Sequence, residues 1–239
     1  VAVGTAGFSA GTATYTSLAF PTSSSTPYVV YADNASVVPN SATIMKYDGS
    51  SWVAVGDQGF TNDSVTYTSL AFPDASSTPY IAYQDIGNSN KATVMKFDGS
   101  SWSAVGTAGF SADAATYTSL AFPTASSTPY VAYSDTATSS AATLMKYDGT
   151  SWVAVGTTGF SAGAANYVSL AFPTSSSTPY VAYRDSATSS AVTVMKYDGS
   201  SWINVGTAGF SAGAASYISL TFPEASSTPY VASRDGGKA

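Results

Sequence analysis

A phrase of about fifty residues recurs along the chain, and this repetition constrains the fold more than any other feature. The repeated tryptophans lie 50 residues apart, at Trp52, Trp102, Trp152 and Trp202. A YxSL motif recurs at nearly the same spacing, with its tyrosines at Tyr15, Tyr67, Tyr117, Tyr167 and Tyr217. A fixed period of this length is typical of repeat architectures such as solenoids and propellers.

Each repeat contains four strand-like runs, which in the first repeat are Tyr15–Phe20, Tyr28–Asp33, Ala42–Asp48 and Trp52–Gly56. β-branched and aromatic residues dominate these runs, and turn residues bound them. An Asp-Gly pair between the third and fourth runs predicts a hairpin, because glycine adopts positive φ without steric cost. Prolines on both sides of the loop between the first and second runs oppose slippage of the strand register.

Four antiparallel strands per repeat and five repeats predict an all-β fold, a five-bladed β-propeller of four-stranded antiparallel blades. A linear β-solenoid is the alternative. A single domain is expected over residues 1–239, with repeats at about 5–56, 57–106, 107–156, 157–206 and 207–239 plus 1–4. One Phe in each long connector is predicted to plug the space between neighbouring blades, at Phe8, Phe60, Phe110, Phe160 and Phe210.

The last blade is predicted to be completed by the N-terminal strand. Val1 aligns just after the position of the repeated tryptophan, so Val1–Gly4 is expected to form the outer strand of the fifth blade. A TVMKYDGSSW-like piece has no counterpart after Ala239, so this blade lacks one strand within the chain. Unpaired backbone groups at such a gap invite another strand, which predicts self-association or contact with neighbouring repeats. The alternative is that the sequence is a trimmed part of a longer repeat protein.

The charge composition argues against several classes of partner. Only 9% of the residues are charged, against about 25% in an ordinary domain, and the formal net charge is −6. Nucleic acids and anionic membrane surfaces both attract basic faces, so neither partner is expected. No stretch is long enough to span a bilayer, which argues against membrane insertion. Small hydroxyl residues and Ser/Thr–Pro runs suggest instead an extracellular or cell-surface protein.

The chain contains no His and no Cys, which removes the usual residues of many active sites. Zinc sites lack their common ligands, and nucleophilic triads lack their usual base. A glycosidase needs two unlike carboxylates that face each other, whereas near-identical repeats supply equivalent ones. We therefore expect no enzymatic activity, no catalytic residue, no cofactor and no metal centre.

The candidate ligand-binding groups are polar residues on or near the varied loop after the second strand. One carboxylate recurs there in every repeat, at Asp33, Asp85, Asp135, Asp185 and Asp235. These groups could bind calcium or a sugar hydroxyl, or each could cap its own turn. Arg184 and Arg234 lie near the same loop, whose variation suits a partner, although drift in an unconstrained loop is the favoured explanation. Two sequons on the same face make Asn34 and Asn62 glycosylation candidates.

The third and fourth runs resemble the Kelch and galactose-oxidase-like blade. That family places a Tyr-Asp turn a few residues before a tryptophan of the outer strand, and Tyr47, Asp48 and Trp52 match this pattern. The double glycine that the family carries after its second strand is absent. Five near-identical repeats are also similar to a propeller of the tachylectin-2 type. The resemblance implies a blade architecture.

The sequence thus predicts a non-catalytic extracellular repeat scaffold with a structural or adhesive role, a subunit of a surface or filamentous assembly. The alternative is a multivalent carbohydrate-binding lectin with one shallow sugar site per blade or blade junction, whose partners are glycans.

Overall fold

The computed structural model describes residues 2–74, 76–224 and 226–236, whose strands form five antiparallel sheets. In every sheet, strands that follow one another along the chain are hydrogen-bonded neighbours. The four-stranded sheets are β1 (Ala13–Ala19), β2 (Tyr28–Asp33), β3 (Ser41–Tyr47), β4 (Trp52–Ala54); β5 (Val65–Ala71), β6 (Tyr80–Asp85), β7 (Lys91–Phe97), β8 (Trp102–Ala104); β9 (Ala115–Ala121), β10 (Tyr130–Asp135), β11 (Ala141–Tyr147), β12 (Trp152–Ala154); β13 (Ala165–Ala171), β14 (Tyr180–Asp185), β15 (Ala191–Tyr197), β16 (Trp202–Asn204). The fifth sheet has two strands, β17 (Ala215–Thr221) and β18 (Tyr230–Asp235).

The prediction of an all-β fold with five repeated antiparallel blades is confirmed. Short 3-10 helices at Thr136–Thr138 and Ser186–Thr188 are the helical elements of the described residues, which therefore contain no helix able to cross a membrane. The extent of the single domain stays a prediction.

The hydrophobic core lies between successive blades. Val30 and Ile44 of the first blade are fully buried against Leu70 and Ile81 of the second. Equivalent clusters fill the junctions between the second and third, third and fourth, and fourth and fifth blades. Each blade therefore buries its apolar faces only by stacking on its neighbours, as repeat proteins do.

The Ser and Leu of the YxSL motif tie each blade to the next. The hydroxyl of Ser17 accepts a hydrogen bond from the backbone N–H of Leu70 at 3.1 Å. The same bond recurs from Leu120 to Ser69, from Leu170 to Ser119 and from Leu220 to Ser169, at 2.9–3.0 Å. A buried N–H group needs such a partner, so the motif carries information about blade junctions.

Three of the five connector Phe residues, Phe60, Phe110 and Phe160, fill blade junctions as predicted. Phe110 stacks on Trp152 with ring centroids 4.1 Å apart, and the indole N–H of Trp152 donates to the carbonyl of Val105 at 2.8 Å. Three further Phe–Trp stacks repeat this arrangement, at Phe8–Trp52, Phe60–Trp102 and Phe160–Trp202. The fifth residue, Phe210, has no tryptophan to meet and is 52% exposed.

The fifth blade is incomplete, as predicted, but the strand expected at Val1–Gly4 needs correction. Val1 lies outside the described residues, and residues 2–4 pair with no strand. Their expected ladder partner is the third strand of the fifth blade, and the described residues of that blade form only two strands. Residues 2–4 contact the first blade instead, where the carbonyl of Val3 accepts the indole N–H of Trp52 at 2.9 Å.

Candidate functional site

Three of the five recurring aspartates occupy local turn-capping positions. Their Oδ1 atoms accept backbone N–H groups two residues further on, at 2.9–3.1 Å, in Asp33–Ala35, Asp135–Ala137 and Asp185–Ala187. The Oδ2 atoms of Asp135 and Asp185 also accept the hydroxyls of Thr143 and Thr193. Burial raises the pKa of Asp135. The described contacts fit the capping interpretation in these blades, and the ligand-binding assignment stays a prediction.

The second blade differs from the others because amide and carboxylate side chains line a cavity of about 360 Å³ there. We call this cavity the blade-two pocket and define it by Asn62, Asp63, Asp85 and Asn88. Asn62 and Asp63 come from the connector before β5, whereas Asp85 ends β6 and Asn88 belongs to the following loop. The sequence analysis named Asn62 and Asp85, and the structure brings these two together.

Asp63 has its place in the pocket because Gly87 leaves room for it. A Cβ atom added to Gly87 would collide with the Asp63 carboxylate. In the first blade the small and the larger residue change places, because Gly11 is the equivalent of Asp63 and Ala35 is the equivalent of Gly87. A Cβ atom added to Gly11 would lie 2.7 Å from the Cβ of Ala35. The second blade thus carries a paired exchange that places a carboxylate over the loop.

The pocket contains both fixed and available polar groups. Asp85 Oδ2 accepts hydrogen bonds from Thr93 Oγ1 and Asn88 Nδ2, both at 2.8 Å, and this side chain is buried. Asn62, Asp63 and Asn88 are exposed at the rim. Asp85 therefore orients Asn88, while the rim presents one carboxylate and two amides to the cavity.

An aromatic floor lies below these groups. The hydroxyl of Tyr83 donates to the sulfur of Met95 at 3.2 Å, and burial, followed by the charges of Asp85 and Asp63, raises the pKa of Tyr83. Phe60 also lines the cavity. The pocket thus combines apolar ring surface with polar side chains of both hydrogen-bonding senses.

The remaining predicted site residues lie apart from this pocket. Asn34 is exposed in the loop after β2, and Arg234 is exposed on β18. Asp235 accepts a hydrogen bond from Ala212 N at 3.0 Å. Arg184 lies on β14 beside the central axis, over the ring of Tyr167.

Sequence analysis missed Asp63 and Asn88, although a signal was present. Asn62-Asp63 replaces the Ala-Gly of the fourth and fifth connectors, and Gly87-Asn88 replaces the Ala-Thr of the third and fourth loops. Both departures fall in one repeat. A search for residues that break the repeat, rather than for residues that recur, finds the pocket.

No family model matches the sequence, and no curated protein matches it. Among solved structures, the chain is similar to the SapL1 lectin in complex with alpha-methyl fucoside, with a TM-score of 0.63 and 16% identity over 88% of this chain and 69% of that one. It is also similar to a mutant of the Aleuria aurantia lectin in complex with alpha-methyl-L-fucoside, with a TM-score of 0.55 and 16% identity over 93% and 71% of the two chains.

A catalytic protein is also among the similar structures. The Hadza microbial sialidase Hz136 matches with a TM-score of 0.55 and 12% identity, over 90% of this chain and 50% of that one. At such identities the likeness shows the fold alone. The chain has the repeated blades of proteins that include carbohydrate-binding lectins.

Proposed function

We propose that the chain is a carbohydrate-binding protein and that the blade-two pocket holds one sugar residue. The observation that carries this proposal is the convergence of Asn62, Asp63, Asp85 and Asn88 on a cavity of about 360 Å³. Sugar hydroxyls both donate and accept hydrogen bonds, and a carboxylate beside amides can serve both senses. The volume lies within the range of small-molecule sites, about 300–1,000 Å³.

The similar lectin structures support a sugar ligand, because alpha-methyl fucoside is bound in those proteins. Only the second blade carries the full set of rim residues, so we propose one site of this type per chain rather than one per blade. We also propose that the role is non-catalytic. Asp85 is buried and accepts two hydrogen bonds through one oxygen, so it is a poor counterpart for Asp63 across a scissile bond.

The test compares Asp63→Ala with Asp113→Ala in titration calorimetry against neutral methyl glycosides, including alpha-methyl-L-fucoside. Asp113 occupies the same position in the third blade, but its Oδ1 accepts the N–H of Ala114 at 2.9 Å. A hydrogen bond to a charged group contributes about 1.5–3 kcal/mol, so we expect Asp63→Ala to weaken binding roughly tenfold to hundredfold. Asp113→Ala should bind as the parent does.

Both aspartates are exposed, so both variants should keep the parent melting temperature. Equal affinity of the two variants for the sugar would show that the sugar does not bind in the blade-two pocket. If the parent protein binds none of the glycosides, the proposed function itself is wrong.

Self-association is the second candidate function, and it corresponds to the scaffold or adhesive role. Leu18 in β1 is 59% exposed, whereas the equivalent Leu70 in β5 is 5% exposed because the first blade covers it. At the other end, Tyr230 is 58% exposed, whereas the equivalent Tyr28 is 8% exposed. These two faces are the halves of a normal blade junction, so we propose that the fifth blade of a second copy occupies the exposed face of the first.

Sedimentation velocity over a concentration series tests this interaction. We expect the mass of the parent protein to rise with concentration, because a head-to-tail contact between unlike faces does not need to close. Leu18→Lys should keep the protein monomeric. Val37→Lys is the matched control, since Val37 is fully exposed in the loop between β2 and β3, away from this face. A monomeric parent at all concentrations, or equal behaviour of the two variants, would contradict the proposal.

A further inference from the structure

A second cavity lies on the central axis, where the innermost strands meet. It has a volume of about 210 Å³, and five tyrosines line it together with one neighbouring residue from each strand. We call these tyrosines the axial tyrosine ring; they are Tyr15, Tyr67, Tyr117, Tyr167 and Tyr217. Successive rings lie 4.8–5.5 Å apart between centroids, which is the distance of aromatic contact.

The backbone holds each of these tyrosines in an unfavourable conformation. All five have φ between 51° and 54°, in the left-handed region, at a shift of the register between the first and second strands. A non-glycine residue in this region is under steric strain, because its Cβ atom approaches the following carbonyl oxygen. The hydroxyl of Thr68 donates to the carbonyl of Tyr15, and that of Thr118 donates to the carbonyl of Tyr67. These hydrogen bonds from the next blade help to hold the strained backbone conformation. Repeated strain that points aromatic rings into one cavity suggests a binding surface.

A cation lies next to the axial tyrosine ring, behind the residues that line the cavity. The guanidinium carbon of Arg184 lies 5.2 Å from the centroid of Tyr167. The equivalent residues of the first three blades are the uncharged Ala32, Gln84 and Ser134. The fifth blade carries a second arginine, Arg234, whose side chain is exposed, whereas Arg184 is half-buried. The cavity wall also differs there, because Val168 and Ile218 replace the Thr of the other blades. The axial site is therefore asymmetric although the blades are nearly identical.

Arg184 retains unused hydrogen-bonding capacity. Its Nε atom is buried and has no hydrogen-bond partner among the described residues. The adjacent Asp185 does not neutralise it, since that carboxylate accepts Ala187 N at 2.9 Å and Thr193 Oγ1 at 3.1 Å. The charge of Arg184 reaches Tyr117, where it opposes the rise in pKa that burial and Tyr167 cause. A partly buried guanidinium that has no carboxylate partner in the described part of the chain is suited to an anionic ligand.

We infer that the axial tyrosine ring binds a carboxylate-bearing sugar residue. The carboxylate pairs with the guanidinium of Arg184, and the carbon–hydrogen face of the sugar packs against Tyr117 and Tyr167. The small volume admits a single residue of this kind. This site is separate from the blade-two pocket, and it adds a second, acidic ligand class to the proposed function.

Titration calorimetry with galacturonic acid, with galactose as the neutral match, tests the inference. It is done in the Asp63→Ala variant, so that binding of galactose in the blade-two pocket does not contribute. The variant Arg184→Ser copies the third blade, where Ser134 already stands at this position in a folded sheet. We expect it to weaken galacturonate binding roughly tenfold to hundredfold, because it removes a charged hydrogen-bond donor. Lys196→Gln is the charge-matched control, since Lys196 lies over Tyr180 at a blade junction. It should bind galacturonate as the parent does.

Three results would overturn the inference. Galactose could bind as tightly as galacturonate, acetate could bind as tightly as galacturonate, or the two variants could lose affinity equally, which would indicate a general charge effect. Asp63→Ala should leave galacturonate binding unchanged. The two sites can therefore fail independently: loss of neutral-sugar binding alone contradicts the blade-two pocket, and loss of the Arg184 effect alone contradicts the axial site.

Discussion

Replacing Trp152 by Ala is expected to lower the free energy of unfolding by about 3–5 kcal/mol, as for other large-to-small changes at packed aromatic positions. The change removes the stack on Phe110, with centroids 4.1 Å apart, and the hydrogen bond to the carbonyl of Val105 at 2.8 Å. The carbonyl of Val105 then loses its hydrogen-bond donor, and the core between the second and third blades loses the packing of the indole ring. Equilibrium unfolding in urea, followed by circular dichroism, measures the loss.

Trp52→Ala is the matched control for this prediction. Trp52 makes the same contacts, with Phe8 at 4.3 Å between centroids and with the carbonyl of Val3. Its partners belong to the segment before β1, however, and Val3 is 55% exposed. We expect about half the loss of Trp152→Ala. A loss as large as that of Trp152→Ala would show that the stack stabilises the protein without help from the adjacent blade.

Replacing Gly156 by Ala is expected to cost about 2–5 kcal/mol of unfolding free energy. Gly156 has φ +72°, where a side chain costs about 1–2 kcal/mol. A Cβ atom there would also lie 2.7 Å from Cε2 of Tyr197 and 3.0 Å from Nε1 of Trp202, so packed rings would have to move. Such overpacking typically adds about 1–3 kcal/mol.

Gly206→Ala separates these two causes. Gly206 has φ +76°, but an added Cβ atom meets nothing within 4 Å. Only the conformational cost of about 1–2 kcal/mol is expected for it. Denaturation of both variants under the same conditions gives the steric contribution by difference. An equal loss of unfolding free energy in the two variants would mean that the aromatic rings at the blade junction move to accommodate the added Cβ atom without an energetic penalty.

Features whose chemistry is local were predictable from the sequence. The Asp-Gly hairpins are an example, because Asp98 Oδ1 accepts the N–H groups of Ser100 and Ser101 at 2.8 Å, which lowers the pKa of Asp98 to about 2. The four strands per repeat and the connector Phe residues were predictable too, since the same pattern occurs several times. Because each local pattern occurs several times, each copy supports the same structural prediction.

Two features that depend on contacts between distant residues were not predictable. Regular alternation along YTSLAF gives no sign of the shifted register at Tyr117, because the strain is held by groups of adjacent blades, such as Thr118 bound to the carbonyl of Tyr67. The blade-two pocket was missed for a different reason. Asp63 and Gly87 are 24 positions apart, and their exchange of roles has meaning only once both are seen in contact.

The hydrogen bond from each YxSL leucine to the serine of the preceding blade has a direction, and this direction has a consequence for the evolution of the chain. Every repeat contains both the serine hydroxyl that accepts this bond and the leucine N–H that donates it. A duplicated repeat can therefore form the same junction with the blade on either side. Repeat number can then change by unequal recombination without any new interface having to arise. Selection is left to act on the few positions, such as Asn62 and Asn88, at which one blade departs from its neighbours.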